Sequence, residues 1–363
     1  MTRSAHKSDG LLDEVTVLSH RFGGDEFVKG GGGNCSGKDA HTLWIKPSGL
    51  ALSDLKPADL VALDRAKLAK LYSAKAPRNA TAREALVKEI MLDAVAPGSS
   101  GRPSVESPLH DSFHATFVLH LHPPLVGGMV CAADGKAACQ ELFPNALWMD
   151  YTDPGFTLCM SIRHAVADYT KAHGRQPSLV FHANHGLFVA ANSSEKVSTL
   201  CHEVLDVLRG RYRQAGVSME LGFGEPAPQA DIDKAIAQMS EVLGPQAEHV
   251  CVEAPFAVAQ GPLTPDHIVY MKSHTLTAQP TPAAIARFVK AHGYMPRVIR
   301  CPAGVFAIGT SPRNAQLAMD LAQDGALVEQ LTAAFGGVQY MTAAAQDFID
   351  NWEVEAYRRQ VSS

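Results

Sequence analysis

Hydrophobic positions recur along the chain in two rhythms. Spacings of three and four, the mark of an amphipathic helix, run through 59–72, 81–95 and 159–173, where Ile162, Val166 and Tyr169 share a face. The same rhythm predicts helices over 193–213, 231–243, 282–292, 312–335 and 343–358, and a short helix followed by loop over 11–30. Thr81, with Glu84 three residues on, has the form of a capping box. Short apolar runs bounded by turn residues predict strands at 42–45, 115–122, 179–181, 187–190, 249–252, 268–272, 297–301 and 305–308. The run Gly30-Gly31-Gly32-Gly33-Asn34 is a turn, because consecutive glycines weaken helix and strand alike. Residues 96–104 read as a loop and 222–230 as a linker. Strands and helices alternate loosely, which places the chain in the α/β class.

One stretch echoes another. Val180–Val189 can be laid over Val298–Ala307 with Gly186 on Gly304, and Ser193 and Ser311 then open equivalent helices. Any hairpin followed by a helix would align in this way. If the second copy is a true repeat, it carries Ala303 where the first has His185.

Length and composition narrow the function. At 363 residues with 46% hydrophobic content, the chain has material for about two packed domains and is not a disordered one. A net charge of -5 argues against a basic nucleic-acid footprint. The seven cysteines are scattered and form no CxxC pair, which speaks against a disulfide framework and a thiolate zinc site. The N-terminus has no apolar leader. The longest apolar stretch, Phe117–Ala133, is broken by His120, His122, Pro123 and Pro124. A cytoplasmic protein with no membrane segment is expected.

The 16 histidines are unevenly spread, and His110, His114, His120 and His122 fall within thirteen residues. His120 and His122 alternate on the strand predicted at 115–122. Both imidazoles then point to one face, about 7 Å apart at Cα, and can converge on a small cation. The same spacing also suits two exposed strand residues. His185, in a tight turn between two predicted strands, is the natural third donor, and Glu106 lies upstream. Three histidines with an open position would describe a catalytic metal site. His110 and His114 are assigned places behind the ligands or on a helix face.

These pieces occur in an order that resembles the class II aldolase/adducin N-terminal family. They are Gly33-Asn34-Cys35-Ser36, Lys46-Pro47-Ser48-Gly49, Pro103-Ser104-Val105-Glu106 with His110, His120-x-His122 and Asn184-His185-Gly186. The resemblance covers about residues 15–215. It is closest to the aldolase half of bifunctional rhamnulose-phosphate aldolase/alcohol dehydrogenases. There Pro262-Leu263-Thr264-Pro265-Asp266-His267 and the tail Asp347-Phe348, Trp352 and Glu355 also match. No GxGxxG is present to seed a dehydrogenase half, so a stand-alone aldolase-type protein is expected.

The resemblance implies a three-layer α/β/α fold around a mixed, mostly antiparallel sheet over 1–222. The C-terminal α/β region, 223–363, would be an extension and a degenerate half-repeat. It implies a divalent metal, zinc first, on His120, His122 and His185. Glu106 would be the acid/base, with a solvated loop carboxylate as the plain alternative. Asn34, Ser36, Ser48, Gly49 and Ser104 would form a phosphate cradle, although such residues also favour ordinary turns. Tyr151 would donate a proton in a neighbouring subunit's site, or be a half-buried strand tyrosine. Lys38 and Lys46, close in sequence, could add charge to the cradle, with surface lysines as the default. The partner is a sugar or sugar phosphate, and the assembly a homo-oligomer, a tetramer by resemblance. The implied reaction is aldol cleavage. Epimerase, dehydratase or decarboxylase chemistry on the same site, and a non-catalytic adducin-like scaffold, are the alternatives.

Overall fold

The structure is a computed structural model describing residues 2–244 and 248–351. The chain forms two compact units, Met1–Val126 with Lys136–Leu208, and Gly127–Gly135 with the chain from Arg209 onward. The second unit therefore takes in residues 209–222, which the sequence reading gives to the first domain, as well as 127–135.

The chain runs α1 (Thr2–Arg21), β1 (Asn34–Lys38), β2 (Thr42–Ile45), β3 (Val61–Asp64), α2 (Arg65–Leu68), α3 (Lys70–Ser73), α4 (Ala80–Ala94), α5 (Ser107–Ser112) and β4 (Phe117–Leu121). It continues with α6 (Pro124–Val130), α7 (Gly135–Leu142), β5 (Leu147–Met149), α8 (Phe156–His173), β6 (Leu179–His182), β7 (Gly186–Ala191) and α9 (Ser194–Ala215). The first unit's seven strands lie in the order β3-β2-β1-β4-β7-β6-β5. Every pairing is antiparallel except β5 with β6. Leu109 of α5, Phe113 just past its end, and Leu158, Ile162 and Val166 of α8 pack against Val118, Val180 and Phe188 on one face. On β1, Ser36 meets His110 of α5, whereas Cys35, pointing the other way, bonds the Val15 carbonyl of α1. Helices thus cover both faces of a mixed sheet, the expected three layers.

Three local expectations change. Residues 61–64 are a strand, not the start of a helix. Leu43 pairs with Leu63, and Asp64 ends the strand by accepting from the N–H groups of Ala66 and Lys67. Helix α4 is capped by Asn79 rather than Thr81. Residues 265–271 are a helix, not a strand, opened by Pro265 at its first position. Its seven residues are all buried, so no polar face betrays the helical period.

In the second unit come α10 (Gln229–Leu243), β8 (His249–Glu253), α11 (Pro265–Met271), β9 (Leu276–Thr277), α12 (Pro282–His292), β10 (Val298–Cys301), β11 (Gly304–Gly309), α13 (Pro312–Leu331) and α14 (Ala343–Asn351). The predicted continuation of the last helix to 358, with Trp352 and Glu355, lies outside the described residues. The strands lie in the order β8-β11-β10-β9, with pairings antiparallel, antiparallel and parallel. That is the sequence of pairings in β4-β7-β6-β5. One difference falls in the hairpin turn. His182 pairs with Gly186, leaving Ala183, Asn184 and His185 between them. Cys301 pairs with Gly304, leaving only Pro302 and Ala303. The β10–β11 turn is thus one residue shorter than the β6–β7 turn that carries His185. No helix among the described residues is long and apolar enough to cross a membrane.

Candidate metal centre

Strands β4 and β7 carry the centre. His120 pairs with Asn34 of β1 on one side and Phe188 of β7 on the other, and its ring stacks on Phe188 at 3.8 Å. His122 follows just past the end of β4. His185 closes the β6–β7 turn after Asn184, whose φ of 51° is a left-handed conformation that asparagine tolerates. Gly186 is required here: a Cβ would run into the Leu121 carbonyl and the His122 ring. Gly186→Ala should therefore cost about 1–3 kcal/mol through overpacking and displace His122. A drop in Tm, with weaker metal retention, would be read by calorimetry on metal-loaded and metal-free protein.

The three imidazoles converge. His120 Nε2 lies 2.8 Å from His122 Nε2 and 3.1 Å from His185 Nε2. His120 Nδ1 lies 3.1 Å from the Leu187 carbonyl, which only accepts, so Nδ1 carries the proton and Nε2 a lone pair. Burial, reinforced by His122, pushes this imidazole well below the ordinary histidine range, which keeps it neutral. One in-plane lone pair cannot accept well from two neighbours at once. A shared cation accounts for the cluster better, because tetrahedral ligands at 2.0–2.1 Å are about 3.3 Å apart. The three nitrogens form a group that could hold a metal ion. His120 and His185 are buried, and His122 is partly open.

Glu106 stands beside them. Its Oε1 is 3.4 Å from His120 Nε2 and 3.6 Å from His185 Nε2, while Oε2 accepts from Asn34 Nδ2 at 2.5 Å. Asn34, expected in the cradle, thus orients the carboxylate. Glu106 is the N-cap residue of the short helix α5, which buried side chains fasten. Lys38 Nζ donates to the His110 carbonyl, the Ser36 hydroxyl meets His110 Nδ1, and Tyr72 and Arg65 both bind Asp111. Ser36 is completely buried in this anchor, away from any open cradle.

Ser48, Gly49 and Ser104 do gather on neighbouring loops. The Ser48 N–H donates to the Arg102 carbonyl, Pro47 bridges Pro103, and Gly49 lies against Gly31. The Ser104 hydroxyl accepts from the Glu106 N–H at 3.3 Å. Lys46 ties the Ser48–Gly49 loop to the glycine turn, donating from Nζ to the carbonyls of Gly31 and Leu50 at 3.2 and 2.6 Å.

Both Lys38 and Lys46 are buried, contrary to the surface positions expected from sequence. Their ammonium groups are satisfied by carbonyls on adjoining segments, contacts that spacing alone does not reveal. Burial pulls Lys38 down to about 7. In the unfolded chain Lys38 keeps its proton to about pH 10. Between about pH 7 and 10 the unfolded state therefore binds more protons, and stability from this group rises with pH. Tm measured against pH should rise over that interval in the wild type relative to Lys38→Met.

No sequence motif marks His182. It is fully buried at the end of β6, its Nε2 accepts from the Thr152 N–H at 3.2 Å, and its ring lies 5.0 Å from that of His185. Tyr151 stacks on His182 at 6.1 Å rather than joining the cluster itself. Burial and the neighbouring Asp153 push the Tyr151 phenol upward, so it holds its proton. The sequence signal for His182 was its place three residues before His185, opposite Gly186. Asp266 and His267 lie in the second unit. There His267 joins Thr264 Oγ1 at 2.8 Å to Asp324 Oδ2 at 3.2 Å, which ties α11 to α13.

The sequence model for the Class II Aldolase and Adducin N-terminal domain matches residues 13–210, close to the span read from motif order. A Bacillus subtilis (strain 168) protein named "Uncharacterized oxidoreductase YuxG" is 27% identical over 310 residues, 74% of this chain and 42% of that protein. The chain thus spans less than half of that relative, a match consistent with likeness to one half of a bifunctional protein. Among solved structures, an N-terminal class II aldolase domain of a conserved protein from Thermoplasma acidophilum is 19% identical. The match covers 55% of this chain and 92% of that one, with a TM-score of 0.47. An L-fuculose-1-phosphate aldolase from Thermus thermophilus is 15% identical over 57% and 96% of the two chains, with a TM-score of 0.38. The family match over more than half of the sequence settles the affiliation: the chain belongs to the class II aldolase and adducin N-terminal domain family.

Proposed function

We propose that the first unit is a metal-dependent lyase that cleaves a sugar or sugar phosphate by reversible aldol chemistry, with zinc on His120, His122 and His185. The observation that carries this reading is the convergence of three imidazole nitrogens beside a carboxylate whose other oxygen is already engaged. A divalent cation bound there would act as a Lewis acid on the substrate's carbonyl and adjacent hydroxyl oxygens. Glu106 carries the proton: Asn34 holds Oε2 and leaves Oε1 facing the histidines, where a carboxylate can exchange a proton with the substrate. The loops carrying Ser48 with Gly49 and Ser104, the first tied by Lys46 to the Gly31 segment, offer N–H and hydroxyl groups to a phosphate end. Tyr151, protonated and packed on His182, is the acid for the leaving aldehyde oxygen. A homo-oligomer, tetrameric as the resemblance implies, and a cytoplasmic location complete the proposal. The seven cysteines, all free thiols, support that location.

The test combines elemental analysis with a retro-aldol assay on one sample. About one divalent ion per chain, aldehyde release from at least one ketose or ketose phosphate, and loss of release after chelation would support the reading. Epimerised or decarboxylated product without C–C cleavage would move the chemistry to another reaction on the same site. A full metal complement with no turnover of any substrate would favour the scaffold.

A further inference from the structure

We propose that the outer edge of β8 is a self-association surface, where β8 of a second copy pairs antiparallel across a two-fold axis to continue the four-stranded sheet. The pairings of β8-β11-β10-β9 repeat those of β4-β7-β6-β5, but the two sheets end differently. In the first unit β4 continues to β1, antiparallel. In the second, β8 is the terminal strand among the described residues. An open strand edge presents unpaired N–H and C=O groups, and proteins blunt such edges with proline, lysine or a bulge. His249-Val250-Cys251-Val252-Glu253 contains neither proline nor lysine, and its register against β11 runs unbroken from His249 to Glu253.

The sequence of this edge complements itself. A two-fold axis at Cys251 sets His249 opposite the partner's Glu253, twice, and Val250 opposite the partner's Val252, twice. Cys251 meets its own copy. Imidazole–carboxylate hydrogen bonds and matched β-branched pairs favour this register over a slip of one residue, which would break both sets. An interface of this kind is isologous and closes as a dimer. The flanking layers also suit it. Cys251 turns toward Gln316 of α13, while Val250 and Val252 pack with the cluster formed by α10 and α12, so helices continue above and below the joined sheet.

Cys251 provides the readout, since the other six cysteines are buried. Directly opposed residues of an antiparallel pair have Cα atoms about 4.5 or 5.5 Å apart, within the 4.4–6.8 Å range a disulfide spans. Full-length protein would be oxidised with copper–phenanthroline in air, the oxidant taking two electrons and two protons per disulfide formed. The expected result is a covalent dimer of most chains, with the Cys251–Cys251 link identified by peptide mass spectrometry. Glu253→Lys should lower the linked yield about tenfold, through two lost imidazole–carboxylate pairs. Adding His249→Glu should restore it by setting a carboxylate opposite each new lysine. Cys251→Ser should abolish the covalent link and leave concentration-dependent protection of the 250–252 amides from hydrogen exchange. Alkylation of Cys251 without linkage, or amide protection indifferent to concentration and to Glu253→Lys, would overturn the proposal. The link reports this edge alone, so an oligomer built through the first unit does not obscure it, and failure here leaves the metal-site reading untouched.

Discussion

Replacing His185 with alanine is expected to empty the metal centre while leaving the fold in place. His185 supplies one of three convergent nitrogens, 3.1 Å from His120 Nε2, and it stands on a turn whose form does not depend on the imidazole. Asn184 sets the left-handed step and Gly186 pairs with His182 on the far side. Loss of a group that merely supports a ligand lowers metal affinity by about 10–100-fold, so loss of a ligand should exceed that. Activity should fall by at least about three orders of magnitude, since the reaction proposed depends on Lewis-acid polarisation. Equilibrium dialysis against a chelator of known affinity measures the first, and the retro-aldol assay the second. The metal-free variant and metal-free wild type should melt within a few degrees of each other. Retention of a full metal complement by His185→Ala would remove His185 from the ligand set and with it the proposed centre.

The β10–β11 hairpin of the second unit, with the same order of pairings, offers a comparison. It keeps the strands and the following helix, yet its turn is one residue shorter and holds Pro302 and Ala303. The pairing of β10 with β11 tolerates that loss because antiparallel register is set by the strands and the turn type, not by the histidine. The motif alignment put Ala303 against His185. The two turns differ in length, so no single substitution in the β10–β11 turn reproduces the one that carries His185.

How far the sequence disclosed the site depends on the kind of residue. His120, His122 and His185 were legible because strand alternation and a tight turn leave few places for their side chains to go. The order of the motifs supplied the family. The elements around them were harder. Strand β1 reads Asn-Cys-Ser-Gly-Lys, too polar to announce a strand, yet every one of its residues is buried. Its polar groups are satisfied across the fold by Glu106 and by His110 and its carbonyl. That is why Asn34 and Ser36, assigned to one cradle by motif, have separate jobs: one orients the carboxylate and the other anchors α5. Lys38 and Lys46 escaped for the same reason, since a lysine satisfied by distant carbonyls carries no local pattern. His182 lacked a motif of its own. Its burial and its Thr152 partner arise only when β6 pairs with β5.

Glu106→Gln tests the proposed proton carrier separately from the proposed metal ligands. Glutamine matches glutamate in size and can still present its carbonyl oxygen to Asn34 Nδ2, so α5 and its anchor should be undisturbed. What changes is the atom facing the histidines: an amide NH2 replaces an oxygen that can accept and return a proton. General acid–base catalysis by a positioned side chain contributes about 10²–10⁴-fold, and kcat should fall within that range. Metal content should stay at the wild-type level, because Glu106 stands outside the three-nitrogen group. KM should change little if Ser48, Gly49 and Ser104 hold the distal end of the substrate. Each departure has its own meaning. A loss of metal in Glu106→Gln would make the carboxylate a ligand and reassign the proton to another group. A kcat within about tenfold of wild type, on a protein still fully loaded with metal, would leave Glu106 as an electrostatic neighbour. Tyr151 would then be the remaining protonated group from which to rebuild the mechanism, and Tyr151→Phe the variant to make next.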